Sequence, residues 1–345
     1  MVQKEISSVA VIVPCLNEID FIENCIKDLL DQRDIPPDFK ILVIDGMSND
    51  GTRDALKRLA TNNQNIVLLD NPERIAAAAL NLGISSSYSD IVIRIDAHSR
   101  IPRDFIRNSI DLLREHPEAW IVGGPVIHRG RNNFAKGVAI AMSSLFGNGG
   151  ARHRDEQYEG YAEGAAFPAI RRWVFDCIGL FDTEMARNED DEFFFRVTRS
   201  FGKIYISPRI RYEYYVRERP KDLWLQLVQY GYWKVPLMLK HRRPIALRHL
   251  IPAVFVAGMI VSILFFFLLP HIKIVATLPI LLYLVSIIAF GISKIVKGNS
   301  VLISLSASLS AVIMHFAYGF GCLIAILMPK RNSDSLLSIM KKLTR

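Results

Sequence analysis

The chain has 345 residues, half of them hydrophobic, and a mean hydropathy of +0.21, which excludes a disordered chain and argues against a purely soluble globule. Eight of its 42 basic residues and one of its 34 acidic residues lie beyond residue 250, so the first 250 stand at +1 and call for no nucleic-acid surface. The four cysteines (Cys15, Cys25, Cys177, Cys322) are scattered without a CxxC pair, which argues against a disulfide framework or a structural zinc site and fits a reducing compartment.

The opening MVQKEISSVAVIVP has no long apolar stretch, so no secretory signal is expected. Val9–Pro14 reads as a short strand followed by an amphipathic stretch at 18–32. Lys40–Ile44 reads as a second strand, with a helix from about Asp50. Ile66–Leu69 and Ile91–Ile95 repeat the pattern, with 75–86 helical between them. Strands alternating with helices predict right-handed crossovers and a mainly parallel sheet, with ligands at the carboxyl ends of its strands. There stand Pro14-Cys15-Leu16-Asn17-Glu18, Asp45-Gly46-Met47-Ser48-Asn49-Asp50-Gly51-Thr52 and Asp96-Ala97-His98. No GxGxxG or GxxxxGK[ST] occurs, so dinucleotide and P-loop chemistry fit poorly.

Further on, Trp224, Leu227, Val228, Tyr232 and Val235 recur at helical spacing and predict an amphipathic interfacial helix that stops near Pro236. Three apolar runs follow, at 251–269, 274–292 and 301–328, each near the ~20 residues that a membrane-spanning helix needs. The basic cluster Lys240, His241, Arg242, Arg243 and Arg248 before the first run places residues 1–250 on the cytoplasmic side. Three crossings would put the basic tail (Lys330, Arg331, Lys341, Lys342, Arg345) outside, against the same bias. The bias fails here, or the third run, interrupted by His315, Gly319 and Gly321, is a re-entrant hairpin or two short pieces. The expected division is a catalytic α/β domain at 1–220, an interfacial segment at 221–250, about three membrane helices at 251–328 and a basic tail at 329–345.

IVPCLNE, VIDGMSNDGT, RIDAH and NEDDEFFFR, in this order and spacing, resemble a family 2 glycosyltransferase with the GT-A fold over about residues 8–235. DNPERI, RIDAH, GNGG followed by His153, NEDDE, YYVR and YGYWK…KHR are similar to the succinoglycan-type exopolysaccharide glucosyltransferases, membrane helices included. The fold this implies is α/β: a Rossmann-like, mainly parallel GT-A catalytic domain followed by C-terminal transmembrane helices.

The resemblance assigns roles. Asp45 would accept from the uracil imide of a UDP-sugar, or merely satisfy its own turn. Pro14, Asn17 and Glu18 would line the nucleotide pocket, Asn17 also serving as a helix cap. Arg74 would face the nucleotide or its phosphates, or make a surface salt bridge. Asp96 and His98 hold the family's DxD place and would bind a divalent ion, Mn²⁺ or Mg²⁺. The imidazole favours Mn²⁺, unless His98 is only a polar loop residue. Gly147–Gly150, His153 and Gly160–Gly164 would form acceptor-side loops. The family's QxxRW element is altered here to Gln229-Tyr230-Gly231-Tyr232-Trp233, with tyrosine in place of arginine. Gln229 and Trp233 remain for the acceptor, and single-sugar addition fits better than processive polymerisation. Trp233 is equally an interface anchor.

In Asn188-Glu189-Asp190-Asp191-Glu192, a cap and dipole account needs one or two acids, and four are present. The resemblance points to Asp190 as general base, kept ionised by the helix N-terminus, with Glu189 contacting the acceptor. The activity implied is a membrane-bound inverting transferase of the cell (inner) membrane, multi-pass, with its catalytic domain cytoplasmic. It would move one sugar, glucose from UDP-glucose, to a polyprenyl-diphosphate-linked saccharide, with other polysaccharide-assembly proteins as neighbours. The alternatives are a polyprenyl-phosphate sugar synthase and a non-catalytic membrane scaffold.

Overall fold

Alternate residues of the first strand face opposite ways, and both sets are apolar. In β1 (Ser8–Cys15), Val9, Val11 and Val13 join one core cluster and Ala10 and Ile12 the other, the pattern of a strand covered on both faces. In the computed structural model, which describes residues 5–242 and 249–328, β1 is flanked by β2 (Asp38–Asp45) and β4 (Ile91–Arg94), and β3 (Ile66–Asp70) lies beyond β2. The remaining strands are β5 (Ala119–Gly124), β6 (Ile127–Arg129), β7 (Gly160–Tyr161), β8 (Ala166–Arg171), β9 (Lys203–Ile206) and β10 (Glu213–Tyr215). Eight of them make one sheet in the order β3-β2-β1-β4-β8-β5-β9-β7, and β6 pairs with β10. The four strands β3, β2, β1 and β4 are parallel, as the alternation predicts. β8 runs antiparallel between β4 and β5.

α1 (Ile22–Leu30) lies on one face through Ile22, Ile26 and Leu29. α2 (Thr52–Asn62) follows β2, and α3 (Ala76–Ser85) covers the other face through Ala77, Leu80 and Ile84. α4 (Phe105–Glu115) joins α1 through Phe105 and Ile106.

The described residues fall into two units. One holds the chain up to Ile127 together with Arg152–Tyr214; the other holds His128–Ala151 and the residues from Tyr215 on. Residues 128–151, placed by sequence within the catalytic domain, thus group with the C-terminal helices. They form α5 (Asn133–Met142), capped by Asn132, and the short α6 (Leu145–Asn148), capped by Ser144. The first unit is completed by α7 (Trp173–Ile178) and α8 (Glu189–Arg199). The second is completed by α9 (Pro220–His241), α10 (Ile251–Leu268), α11 (Lys273–Val296) and α12 (Val301–Leu327).

α10, α11 and α12 are each long and apolar enough to cross a membrane. α12 is one unbroken helix of 27 residues that starts behind Ser300, whose Oγ accepts the Ile303 N–H at 3.3 Å. The hairpin and two-piece readings of 301–328 are therefore wrong. His315, Gly319 and Gly321 do not interrupt α12; they make its contacts. His315 Nε2 lies 2.8 Å from the Phe146 carbonyl and Nδ1 lies 3.0 Å from the Tyr283 hydroxyl. A carbonyl only accepts, so Nε2 carries the proton and Nδ1 accepts from Tyr283.

α9 does not stop near Pro236 but continues to His241. Its backbone lies directly on α12: a Cβ added to Gly231 would sit 2.0 Å from the Tyr318 carbonyl oxygen. That packing holds the helix through a proline that removes one of its hydrogen bonds. Arg243, Arg248 and the basic tail lie outside the described residues.

Candidate active site

β1, β2 and β3 end in register, Cys15 beside Asp45 and Asp45 beside Asp70, so their following loops leave from one edge of the sheet. The first two loops are tied together. Asn17, in the left-handed region at φ 57°, donates its N–H to Ser48 Oγ at 2.8 Å and accepts the Asn49 N–H on Oδ1 at 2.9 Å. Glu18 donates its N–H to Thr52 Oγ1 at 2.8 Å. Asn17 therefore caps no helix, since α1 begins five residues later behind Phe21. Pro14 stays half-buried within β1.

Asp45 is fully buried. Its carboxylate accepts the Ser48 N–H at 3.2 Å and a 2.7 Å ion-paired bond from Arg53, whose other terminal nitrogen reaches Asp70 at 2.7 Å. The local-turn role expected of Asp45 is present, and an imide N–H would have to compete with these donors. Arg74 is exposed at φ 58° and has no ion pair among the described residues, so the surface salt bridge is not made.

A second group gathers where β4 ends. Arg94 Nε donates to Asp96 Oδ1 at 3.2 Å, and Nη1 donates to Glu189 Oε1 at 3.1 Å. Burial works against ionisation of Asp96, but Arg94 and His98 outweigh it and hold the carboxyl below its ordinary value. Asp190 behaves oppositely. Burial first, then the neighbouring Asp191 and Glu189 carboxylates, push it up to about 7, against Arg94 and the Asp191 N–H that donates to Oδ1 at 2.8 Å. The expectation that the helix N-terminus keeps Asp190 fully ionised is corrected: desolvation and like charge exceed the dipole. A carboxylate poised near neutral pH is well matched to general-base work.

Asn188 stands at the N-cap of α8, but at φ 60° its side chain makes no capping bond, so the capping expectation also fails. Glu192 turns away from the cluster. It is fully buried and grips Arg196, with Nε 2.9 Å from both of its oxygens and Nη2 2.8 Å from Oε2. Arg196 in turn donates to the carbonyls of Ile178 and Leu180 at 2.5 and 2.7 Å. Glu192 is thus a structural acid that fastens the turn after α7 to α8.

In the other unit, Gln229 and Trp233 are buried on α9, so stacking of a sugar on Trp233 has no exposed ring face to use. Gly149 and Gly150 follow α6 with φ of 63° and 79°.

Among the described residues no group of three His, Cys, Asp or Glu side chains is placed to hold a metal ion. Two donors nevertheless fit one. Arg94 takes one oxygen of Asp96 and leaves the other outside that contact. His98 Nδ1 is buried without a hydrogen bond, 3.4 Å from Glu18 Oε1. One carboxylate oxygen and one imidazole nitrogen can serve an ion whose other ligands come from a diphosphate and water.

Sequence reading missed Arg94 and Arg53. Arg94 stands two residues before Asp96, and alternate residues of a strand share a face, so the RIDAH motif already placed the cation beside the acid. Arg53 lies eight residues after Asp45, and only the close turn into α2 brings them together.

Residues 10–179 match the profile of Glycosyl transferase family 2. The chain is 30% identical over 318 residues to the succinoglycan biosynthesis protein ExoA of Rhizobium meliloti (strain 1021), covering 91% of this chain and 94% of that one. The chain belongs to glycosyltransferase family 2. The enzyme is also 27% identical over 317 residues to a Methanococcus voltae protein, the dolichyl N-acetyl-alpha-D-glucosaminyl phosphate 3-beta-D-2,3-diacetamido-2,3-dideoxy-beta-D-glucuronosyltransferase, over 85% of this chain and 98% of the other. In fold, the glycosyltransferase resembles the mannosyltransferase PcManGT of Pyrobaculum calidifontis, with a TM-score of 0.59, 20% identity, and coverage of 93% of this chain and 87% of that one. The fold is GT-A-like α/β with a mainly parallel central sheet, followed by the three apolar helices.

Proposed function

We propose that this glycosyltransferase is an inverting enzyme of exopolysaccharide assembly that moves a single glucose from UDP-glucose to a polyprenyl-diphosphate-linked saccharide at the cytoplasmic membrane face. The observation that carries the reading is Asp190, a carboxyl pushed up to about 7 within a cluster that also holds Arg94, Asp96 and Glu189. Two relatives support the context. One is named for succinoglycan biosynthesis, the other for transfer to a dolichyl-linked sugar phosphate.

In this reading Asp190 takes the proton of the acceptor hydroxyl as the new bond forms. Arg94 fixes Glu189, which contacts the acceptor, and Asp96 on the donor side. Asp45, Pro14, Asn17, Glu18 and Arg74 serve the nucleotide. Asp96 and His98 would hold a divalent ion, Mn²⁺ before Mg²⁺, which neutralises diphosphate charge when bound. A manganese ion is present in the Pyrobaculum mannosyltransferase structure.

The test is a panel of labelled UDP-sugars given to purified protein in lipid, with lipid-linked saccharides as acceptors and anomeric analysis of the product. UDP-glucose, in which the sugar is α-linked to the diphosphate, should give one added β-linked residue, and an α-linked product would overturn the inverting assignment. Failure to turn over any UDP-sugar would favour the scaffold. Transfer to bare polyprenyl phosphate, with no dependence on Asp190, would favour the phosphate-sugar synthase, because a phosphate is already ionised and needs no base.

A further inference from the structure

Gly319 and Gly321 put bare backbone on two sides of α12. A Cβ at Gly321 would lie 2.1 Å from the Val228 carbonyl oxygen of α9, and one at Gly319 would lie 2.3 Å from the Pro252 carbonyl oxygen of α10. Both neighbours are therefore drawn hard against α12 at this level. Farther along α12, Cys322 and Ile326 replace the glycines, and a cavity of about 520 Å³ opens among the three helices. Met238 and Leu239 of α9 and Ala253 of α10 complete its apolar wall. Among the described residues Arg242 is its one charged lining residue. This arginine ends α9 in the left-handed region at φ 52°, is exposed, and has no ion pair among the described residues.

We propose that this cavity receives the first isoprenoid units of the acceptor's lipid carrier, with the carrier's phosphate held on Arg242. The inference rests on the reading that the acceptor is lipid-linked. Two features choose the occupant. The size falls within the ~300–1,000 Å³ of ordinary ligand sites, and the apolar wall offers a sugar nothing to bond. Two of the three walls, α10 and α12, also belong to helices long and apolar enough to cross a membrane, while the Arg242 guanidinium is suited to a phosphate oxygen of the carrier. A diacyl phospholipid is the competing amphiphile, and the test separates the two.

The full-length protein is reconstituted in phosphatidylcholine nanodiscs, and binding of a fluorescent undecaprenyl phosphate is measured directly. Ala253→Phe and Ile326→Trp, which fill the cavity from two helices, should each weaken the probe at least tenfold, and Arg242→Glu should do the same. Val254→Phe, at a 70% exposed position of α10 outside the lining, should leave it unchanged. UDP-sugar binding, retained in every variant, reports that the protein is folded. Ile326 is 57% exposed, so its variant carries the test if Ala253→Phe does not fold. Unchanged probe affinity in a folded cavity-filling variant overturns the proposal, and so does displacement of the probe by phosphatidylglycerol as readily as by unlabelled undecaprenyl phosphate. The readout is binding, so a wrong donor or acceptor sugar shows separately, as absent transfer with the probe still bound.

Discussion

Asp96, just past the end of β4, and Glu189, at the start of α8, share one cation: Arg94 Nε is 3.2 Å from the first and Nη1 is 3.1 Å from the second. The guanidinium is 16% exposed and Glu189 is 8% exposed, so water does little to replace it. Arg94→Gln should destabilise the catalytic unit by ~3–5 kcal/mol, the usual result of breaking a buried pair from one side. Arg94 also opposes protonation of Asp190, so the acid limb of the pH–rate profile should move to higher pH in this variant. Arg94→Lys should restore part of both effects. Thermal unfolding and a pH–rate profile read the two separately, and an unmoved limb would remove Arg94 from the electrostatics of the base.

Transfer should rise as pH passes through about 7, where Asp190 loses its proton. Because the charges of Asp191 and Glu189 help to set it, the limb belongs to the cluster rather than to one group. Asp190→Asn should keep UDP-sugar binding within a few-fold, lose the limb and lower transfer by ~10²–10⁴. Stability runs the other way. An unfolded aspartate titrates near ~4, so between there and about 7 the folded protein holds the extra proton and loses stability as pH rises. Asp190→Asn should flatten that decline. Near-normal turnover with an inverted product would mean that the acceptor proton leaves by another route.

Glu192→Gln should separate stability from chemistry. Its carboxylate is bonded to Arg196 twice over and lies inside the protein, so the amide leaves a guanidinium half-satisfied and should cost ~3–5 kcal/mol. Transfer per folded molecule should stay near wild type. A large loss of kcat in fully folded Glu192→Gln would place this acid in the reaction.

If Asp96 and His98 share an ion, activity is higher with Mn²⁺ than with Mg²⁺, EDTA abolishes it, and His98→Asp moves the preference toward Mg²⁺. Isothermal titration with each metal and UDP provides a second readout. Full activity in EDTA would end the metal assignment.

Cys177 is the only exposed cysteine among the four in the chain, which makes the native protein its own topology probe. A membrane-impermeant maleimide should fail to label intact cells and should label them once they are permeabilised, with the catalytic unit on the cytoplasmic side. A cysteine at His271, between α10 and α11, should be labelled from outside. Efficient labelling of Cys177 in intact cells would reverse the orientation.

What could be read from sequence was whatever a short window carries. Short continuous apolar runs gave the parallel strands, and polar residues just after them gave the edge where Asn17, Asp45 and Asp96 stand. Readings that needed a distant partner went astray. Asn17 has a capping residue's chemistry, but its partners are Ser48 and Asn49 on another loop. Asp190 has a helix start's dipole, but burial among carboxylates decides its protonation. Pro236 and the α12 glycines are local helix breakers by composition. They are overruled because α9 and α12 lie backbone to backbone at Gly231 and Gly321, a contact invisible from either segment alone.

The grouping of residues 128–151 with the C-terminal helices sets an order of events at the ribosome. α5 packs on α12, where a Cβ on Gly137 would sit 2.5 Å from Ser306. Its apolar side, with Val138, Ala141 and Met142, must wait while roughly 160 further residues are made, about 10–30 s at ordinary elongation rates. During that interval the nascent chain carries an uncovered apolar helix well before α12 exists. A fragment cut after Tyr214 would keep that condition permanently, so removing only the C-terminal helices should leave a chain that aggregates.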